Sequence, residues 1–513
     1  MPSRELHAFL VQNQSFLRVR DFRNRRLNEN HLHALCQVQD LARDVKSVDG
    51  DAEICGGGGG RKHKRPLLGQ PLRHADRYVV DTVNENGALV HRTKDSTGKA
   101  RELSNALPRC LQNGISLPPK YQKLLVYFID DVLASLSCHP SIQKDLRMGL
   151  VPVMLHSPQL MSACLALSAA GFLSRGILEV EGVEIPRILG HLQTSGLALL
   201  RSALDSGERT ETLPATCLIW CLTDVFTYRQ GISSWQIHLQ GIGALLDGSE
   251  AHRDFATPSG SFRSAMRHLY QLYLSLQTLP HIPTVESLEN SAQLGVRASQ
   301  NSEWTSMTSP EIDGFLGYSS ELLDVLQQID QLSRSVSGNE AQSISEADIL
   351  LGKVQGMISR DTTSPRDISI CTPLSPEYNR EFALCHQTFQ QATLIHLYRK
   401  LYHHPSGSPS IQAAVRSIEE MVGNMIQGQP CHTWVAMAMP LFTLGCEAFT
   451  EKQQVFTMDK IKKLEDCIGS LHVKCIRQAL EDIWKVREDL GDREGTLCAS
   501  QLLAELRYNI ILF

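Results

Sequence analysis

Several familiar features are missing from this chain of 513 residues. No apolar run reaches the length of a membrane-spanning helix. Met1–Arg26 is charged and has no apolar centre of the kind a secretory leader needs. The expectation is an intracellular protein that does not enter a membrane. Aromatic residues make up only 6% of the chain, which argues against a strand-rich core. There is no Gly-x-Ser-x-Gly elbow, no His-Glu-x-x-His helix and no Cys-x-x-Cys pair. The serine-hydrolase, zinc-protease and thiol-pair chemistries that need those spacings are therefore not signalled. The net charge of -5 gives no general affinity for nucleic acid, so any phosphate-binding surface has to be a local patch.

The apolar fraction of 42% and charged fraction of 20% are those of an ordinary globular chain. Its 14 cysteines are scattered, and Cys164, Cys217 and Cys446 fall inside apolar helical patterns. In a reducing compartment such cysteines act as small buried hydrophobes.

Residues 1–117 read as a mostly irregular basic segment. Arg18, Arg20, Arg23, Arg25 and Arg26 cluster early; Gly56–Gly60 then leads into Arg61-Lys62-His63-Lys64-Arg65. A helix fits Asn30–Val45, and short strands fit Tyr78–Val83 and Ala88–His91. Pro118-Pro119 marks the boundary of a globular region, residues 118–513, with strong helical period. Its first helix, Tyr121–Leu136, carries Leu124, Leu125, Phe128, Ile129, Val132, Leu133 and Leu136 on one stripe. Ser157-Pro158 reads as the cap and first turn of a helix that Gly176 stops. Further helices fit Ile188–Leu204, Ala215–Thr227, Trp235–Leu246, Phe262–Leu276 and Leu316–Leu332. Later ones fit Tyr378–Tyr402, Ile411–Ile426, Thr433–Thr450 with Pro440 as a kink, Met458–Ile468 and Leu471–Leu490. Surface loops are expected near 278–310 and 333–376, the second holding a short helix near Glu346–Ile358. Strand pairs joined by Asn-Gly or Asp-Gly turns are almost absent. The fold class expected is all-α, a large irregular helical array.

The stretch Leu213–Gly248 is the most informative. It reads as a buried helix, a turn at Gln230-Gly231, and an amphipathic helix that Ser233 or Ser234 can cap. Trp235, His238, Leu239, Ile242, Leu245 and Leu246 share one face of that second helix.

This stretch resembles the central signature of the fungal-specific transcription factor regulatory domain, in which a tryptophan, a histidine-leucine pair and a glycine open a helix. Trp235, His238, Leu239 and Gly241 carry the match. Tyr127-Phe128, Leu150–Ala169 and Gly317–Leu332 resemble other blocks of that family. So do Pro440–Phe442, the run Gly445–Ala448 with Glu447, and Trp484 in the last helix. The likeness covers the chain after Pro118. It implies a fungal transcription regulator located in the nucleus and working with the transcription machinery. Its helical domain would restrain or expose an activation function, form a homodimer or sense a small-molecule effector, and its targets would be genes of nutrient use or secondary metabolism.

Members of the family usually carry an N-terminal zinc cluster of six cysteines that binds DNA. Only Cys36, Cys55 and Cys110 precede the globular part here. DNA contact is therefore expected only through a zinc cluster lying outside this sequence or through a partner factor. Zinc is expected only with such a cluster, and no other cofactor is expected. The alternative is a co-regulator without its own DNA-binding module. A third reading, a helical enzyme, lacks a catalytic constellation, so no catalytic or metal-ligating residue is assigned.

Other motifs have two readings each. Arg61, Lys62, Lys64 and Arg65 form a nuclear localisation candidate or a solvated basic loop. Gly56–Gly60 lacks the Gly-Lys-Ser/Thr ending of a phosphate loop and reads as a linker. The small residues of Gly241-Ile242-Gly243 suit close helix packing. Cys217, Cys221 and His238 form a partial metal site or, more simply, buried thiols beside a core histidine. His238 with Asp224 is an acid–base pair or a structural hydrogen bond. Glu447, in an apolar run, is expected to make a structural polar contact.

Overall fold

A computed structural model describes residues 80–83, 89–92, 117–206, 212–227, 234–247, 260–278, 309–334, 340–364, 366–370, 372–492, 495–506, 508 and 510–512. The chain divides into two units, Met1–Ser104 and Asn105–Phe513. In the first, β1 (Val80–Val83) pairs antiparallel with β2 (Leu89–Arg92), Val83 opposite Leu89. These are the two strand-like pieces read from the sequence. Asn86-Gly87 lies between them, so one Asn-Gly dipeptide does separate paired strands. The expected helix at Asn30–Val45 and the basic run Arg61–Arg65 lie outside the described residues.

The second unit is all-α, built on one contiguous apolar core. α1 (Pro119–Tyr127) passes into a π turn, Phe128–Val132, and a last α turn, Leu133–Ser135. Its apolar residues recur every fourth position, a period that drifts about 40° per step on a 3.6-residue helix. Under-winding at the π turn brings Phe128, Ile129 and Val132 back onto the core side, where all three are buried. α2 (Pro140–Met154) and α3 (Pro158–Ser174) follow. α3 is apolar around most of its circumference, with Ala163–Gly171 buried throughout, so it must be covered on several sides. α4 (Ile185–Asp205) and α5 (Thr212–Thr227) supply that cover, and α6 (Ser234–Asp247) packs on α5. α7 (Ser261–Thr278) lies against α2.

In the C-terminal half, α10 (Pro376–Lys400) is the central rod. Around it stand α8 (Ser320–Arg334), α9 (Glu340–Thr363), α11 (Pro409–Asn424) and α12 (Ala438–Cys446). α13 (Glu451–Ile468), α14 (Leu471–Asp489) and α15 (Ala499–Glu505) complete the unit. α14 also reaches α5 and so ties the two halves together. Two short pairs add local sheet: β3 (Glu179–Val180) with β4 (Val183–Glu184), antiparallel, and β5 (Ile312–Asp313) with β6 (Ile368–Ser369), parallel.

Several expectations need correction. The loop expected over 333–376 is largely helix α9, longer than the short piece read at Glu346–Ile358. Ala347, Leu350, Val354 and Met357 give it a buried stripe, while its polar face obscures the period. Asp361 near its end is buried and receives His386 (3.1 Å) and Gln390 (2.6 Å) from α10, together with Arg366. α8 starts at Ser320, because Gly317 has a left-handed φ of +81° that helical backbone does not accept. Pro440 does not kink a long helix. The segment is a 3₁₀ turn, Thr433–Ala436, followed by α12, with Pro440 in the first turn where its missing N–H is harmless. Ser157 is the N-cap of α3, but its hydroxyl makes no capping hydrogen bond. α13 begins earlier than Met458, at Glu451, behind a capping box formed by Thr450 and Gln453. The expected loop 278–310 lies almost wholly outside the described residues.

Candidate functional site

The sequence-predicted residues fall into two clusters. In the first, Trp235, Leu239 and Ile242 are buried on the face of α6 that meets α5. Leu245 is half-buried; the side chain of Leu246 lies outside the described residues. His238 Nε2 stands 3.3 Å from Asp224 Oδ2 of α5, with 16% and 14% of the two side chains exposed. The pair is thus a polar tie between the two helices. Cys217 and Cys221 are buried in α5; burial pushes the Cys217 thiol up to about 12 and also raises Cys221 well above its ordinary value. Thiols held protonated in this way make poor metal ligands. Among the described residues no group of three or more His, Cys, Asp or Glu is arranged to hold a metal. Gly241 has open space where a Cβ would stand; the close approach is at Gly243, against the Tyr273 hydroxyl.

The second cluster joins Gly445, Glu447 and Trp484. A Cβ on Gly445 would lie 2.4 Å from Leu480 Cδ1, so only glycine lets α12 and α14 meet at that distance. Glu447 caps the end of α12, and its Oε1 lies 3.4 Å from Arg399 Nε. Arg399 Nη1 donates to His404 O (2.6 Å) and Gly495 O (3.0 Å), and Nη2 to Leu497 O (2.8 Å). Arg487 donates to Cys446 O and Leu497 O. Two buried guanidinium groups therefore collect the carbonyls left over at a helix end and in the 495–497 turn. Neither arginine was picked out from sequence. Arg487 carried a signal all the same, since it continues the buried stripe Ile476, Leu480, Ile483.

A third feature was not anticipated. α2 and α7 cross at Gly149, where a Cβ would come within 2.4 Å of Ser261 O and 2.5 Å of Ala265 Cβ. Beside that contact α2 and α7 line a cleft of about 330 Å3, closed on its other side by the β5–β6 pair. Its walls are mixed, with Ile142, Ile368 and Ile370 among charged and polar side chains. Lys144 and Asp145 come from α2, Ser264, Arg267 and His268 from α7, and Asp313 from β5. His268 stacks on Phe315 with ring centroids 5.6 Å apart. Its Nε2 is 3.5 Å from Asp145 Oδ2, long for a hydrogen bond. Burial lowers the His268 pKa, opposed by the Asp313 and Asp145 carboxylates. Ser264 donates to Asp145, Arg267 to Ser369, and Asp313 Oδ1 accepts from the Phe315 and Leu316 amides. No single segment of sequence signals this cleft, because its walls come from around residues 144, 267, 313 and 369.

Interlocked helices around an apolar core, with polar ties between them, define a helical domain, and among the described residues a cleft opens between α2, α7 and the β5–β6 pair. The model of the fungal specific transcription factor domain matches residues 123–509. The chain belongs to that family and is a fungal transcription regulator. The family is one of transcription factor domains, not of enzymes. No curated protein and no solved structure matches the chain.

Proposed function

We propose that the protein works in the nucleus, and that its helical domain couples a small molecule or a partner protein to the transcription of a metabolic or secondary-metabolite gene cluster. The family match over residues 123–509 carries this reading. Coupling requires that the effector bind one helix arrangement better than another. The tie of α14 to α5 offers a route between the halves, because repacking one half displaces a helix of the other. DNA is reached through a zinc cluster outside this sequence or through a partner factor. The second reading is a co-regulator that binds another factor and reaches DNA through it.

Comparing the transcripts of a deletion strain with those of its parent tests the reading. A coherent set of metabolic genes should change. Unchanged transcripts under every growth condition that expresses the protein would refute it. An electrophoretic shift with the purified full chain separates the two routes: a specific shift favours direct binding, and its absence together with recovery at chromatin favours the co-regulator.

A further inference from the structure

The α2–α7 cleft has the charge pattern of a site for a small zwitterion. Two carboxylates, Asp145 and Asp313, and two permanent cations, Lys144 and Arg267, line a volume of about 330 Å3. That volume is at the small end for ligand sites. The opposite charges are not neutralised against each other: no Lys144 or Arg267 ion pair with Asp145 or Asp313 occurs among the described residues. Asp145 is met by His268 and Ser264, and Arg267 by the neutral Ser369. His268 Nε2, shielded from solvent beside Asp145, makes no hydrogen bond. A purely anionic ligand would face both carboxylates, and a purely cationic one both cations. A molecule with an ammonium at one end and a carboxylate at the other offers each wall its complement.

We infer that this cleft binds a free α-amino acid or a close relative, with the ammonium at Asp145 and Asp313 and the carboxylate at Arg267 and Lys144. The inference rests on the proposed effector-sensing role and gives it a site. The cleft suits that role mechanically. One wall is the α2–α7 pair; the other is β5–β6, whose strands lead into α8 and α10. A ligand holding both walls favours the arrangement in which they are close.

The test uses the purified full chain, each free proteinogenic amino acid in turn, and thermal shift followed by calorimetric titration. At least one amino acid should bind saturably and raise the melting temperature. Its N-acetyl and carboxamide derivatives, and the variants Asp145→Asn and Arg267→Gln, should each weaken binding by about tenfold or more. Arg267 is exposed, so Arg267→Gln leaves the core intact and serves if Asp145→Asn disturbs His268. Binding of none of these compounds would overturn the inference. So would equal binding of the N-acetyl derivative, insensitivity to both substitutions, or preferential binding of inorganic phosphate or spermidine. The regulator reading fails separately: it falls if deletion leaves transcripts unchanged. The inference alone falls if deletion changes transcripts but the purified chain binds no amino acid.

Discussion

Trp484 donates its indole N–H to the carbonyl of Gly445 at 2.8 Å, and so joins two residues separated by 39 positions. The same glycine admits Leu480 to the surface of α12, one turn before Trp484 on α14. Close approach and hydrogen bond are one contact, since the indole reaches the carbonyl only because no Cβ holds the helices apart. Gly445→Ala should therefore cost about 1–3 kcal/mol through overpacking, and Trp484→Phe about 1 kcal/mol through the lost hydrogen bond. Urea denaturation measures both. The Gly445→Ala/Leu480→Ala double variant should lose less than the sum of the single changes, because the second removes the clash made by the first.

Arg399 and Glu447 form a buried ion pair with 6% and 4% of the side chains exposed. Glu447→Ala leaves the guanidinium without its counter-charge and should destabilise by about 3–5 kcal/mol. A loss below about 1 kcal/mol, the level of an exposed pair, would mean that the carbonyls of His404, Gly495 and Leu497 alone satisfy Arg399.

Ile242 is buried at the α5–α6 contact beside the His238–Asp224 tie. Ile242→Asp should unfold or severely destabilise the domain, because an unpaired charge in an apolar contact has nothing to compensate its desolvation. Asp224→Asn should cost about 1–2 kcal/mol. Circular dichroism melts separate the two cases, and an unchanged melt for Ile242→Asp would refute the placement of α6.

Two buried histidines make stability depend on pH. Burial lowers His472 to about 4 and His396 to about 3, against about 6.5 in an unfolded chain. Between those values the unfolded chain holds more protons than the folded one. Stability is therefore full above about pH 6.5 and falls as pH drops toward 4, by at most about 1.4 kcal/mol per pH unit for each histidine. His396→Gln keeps an amide for the Thr443 hydroxyl, which lies 2.9 Å from His396 Nε2, while removing the titration. The pH slope of its denaturation free energy should be shallower than that of the parent. Identical slopes would contradict the burial of His396.

Replacing Arg61, Lys62, Lys64 and Arg65 with alanine tests the basic run. A fluorescent fusion should move from nucleus to cytoplasm if the run is a nuclear localisation signal; unchanged nuclear signal assigns it to a solvated loop.

How much was legible depended on how local the cause was. Helix α3, with its Ser157-Pro158 start and Gly176 stop, was readable because a helix and its ends are set by residues within a few positions. The helix that carries Trp235 and His238 was readable for the same reason. α9 was only half readable, because four buried residues sit among polar ones and α8 and α10 supply what makes them core. Arg399 looked like an ordinary basic residue in the last turn of a helix. Only the arrival of Glu447 and the 495–497 turn makes it a buried anchor.

The sequence by itself determined an all-helical domain after Pro118 and the family whose model matches residues 123–509, because helical period and short motifs are local. Tertiary structure alone decided where the α2–α7 cleft lies. Lys144, Arg267 and Asp313 share no period or spacing, and they meet because Gly149 lets α7 close on α2 and because β6 pairs with β5. Those contacts are set by the shape of the folded core, which no stretch of neighbouring residues encodes.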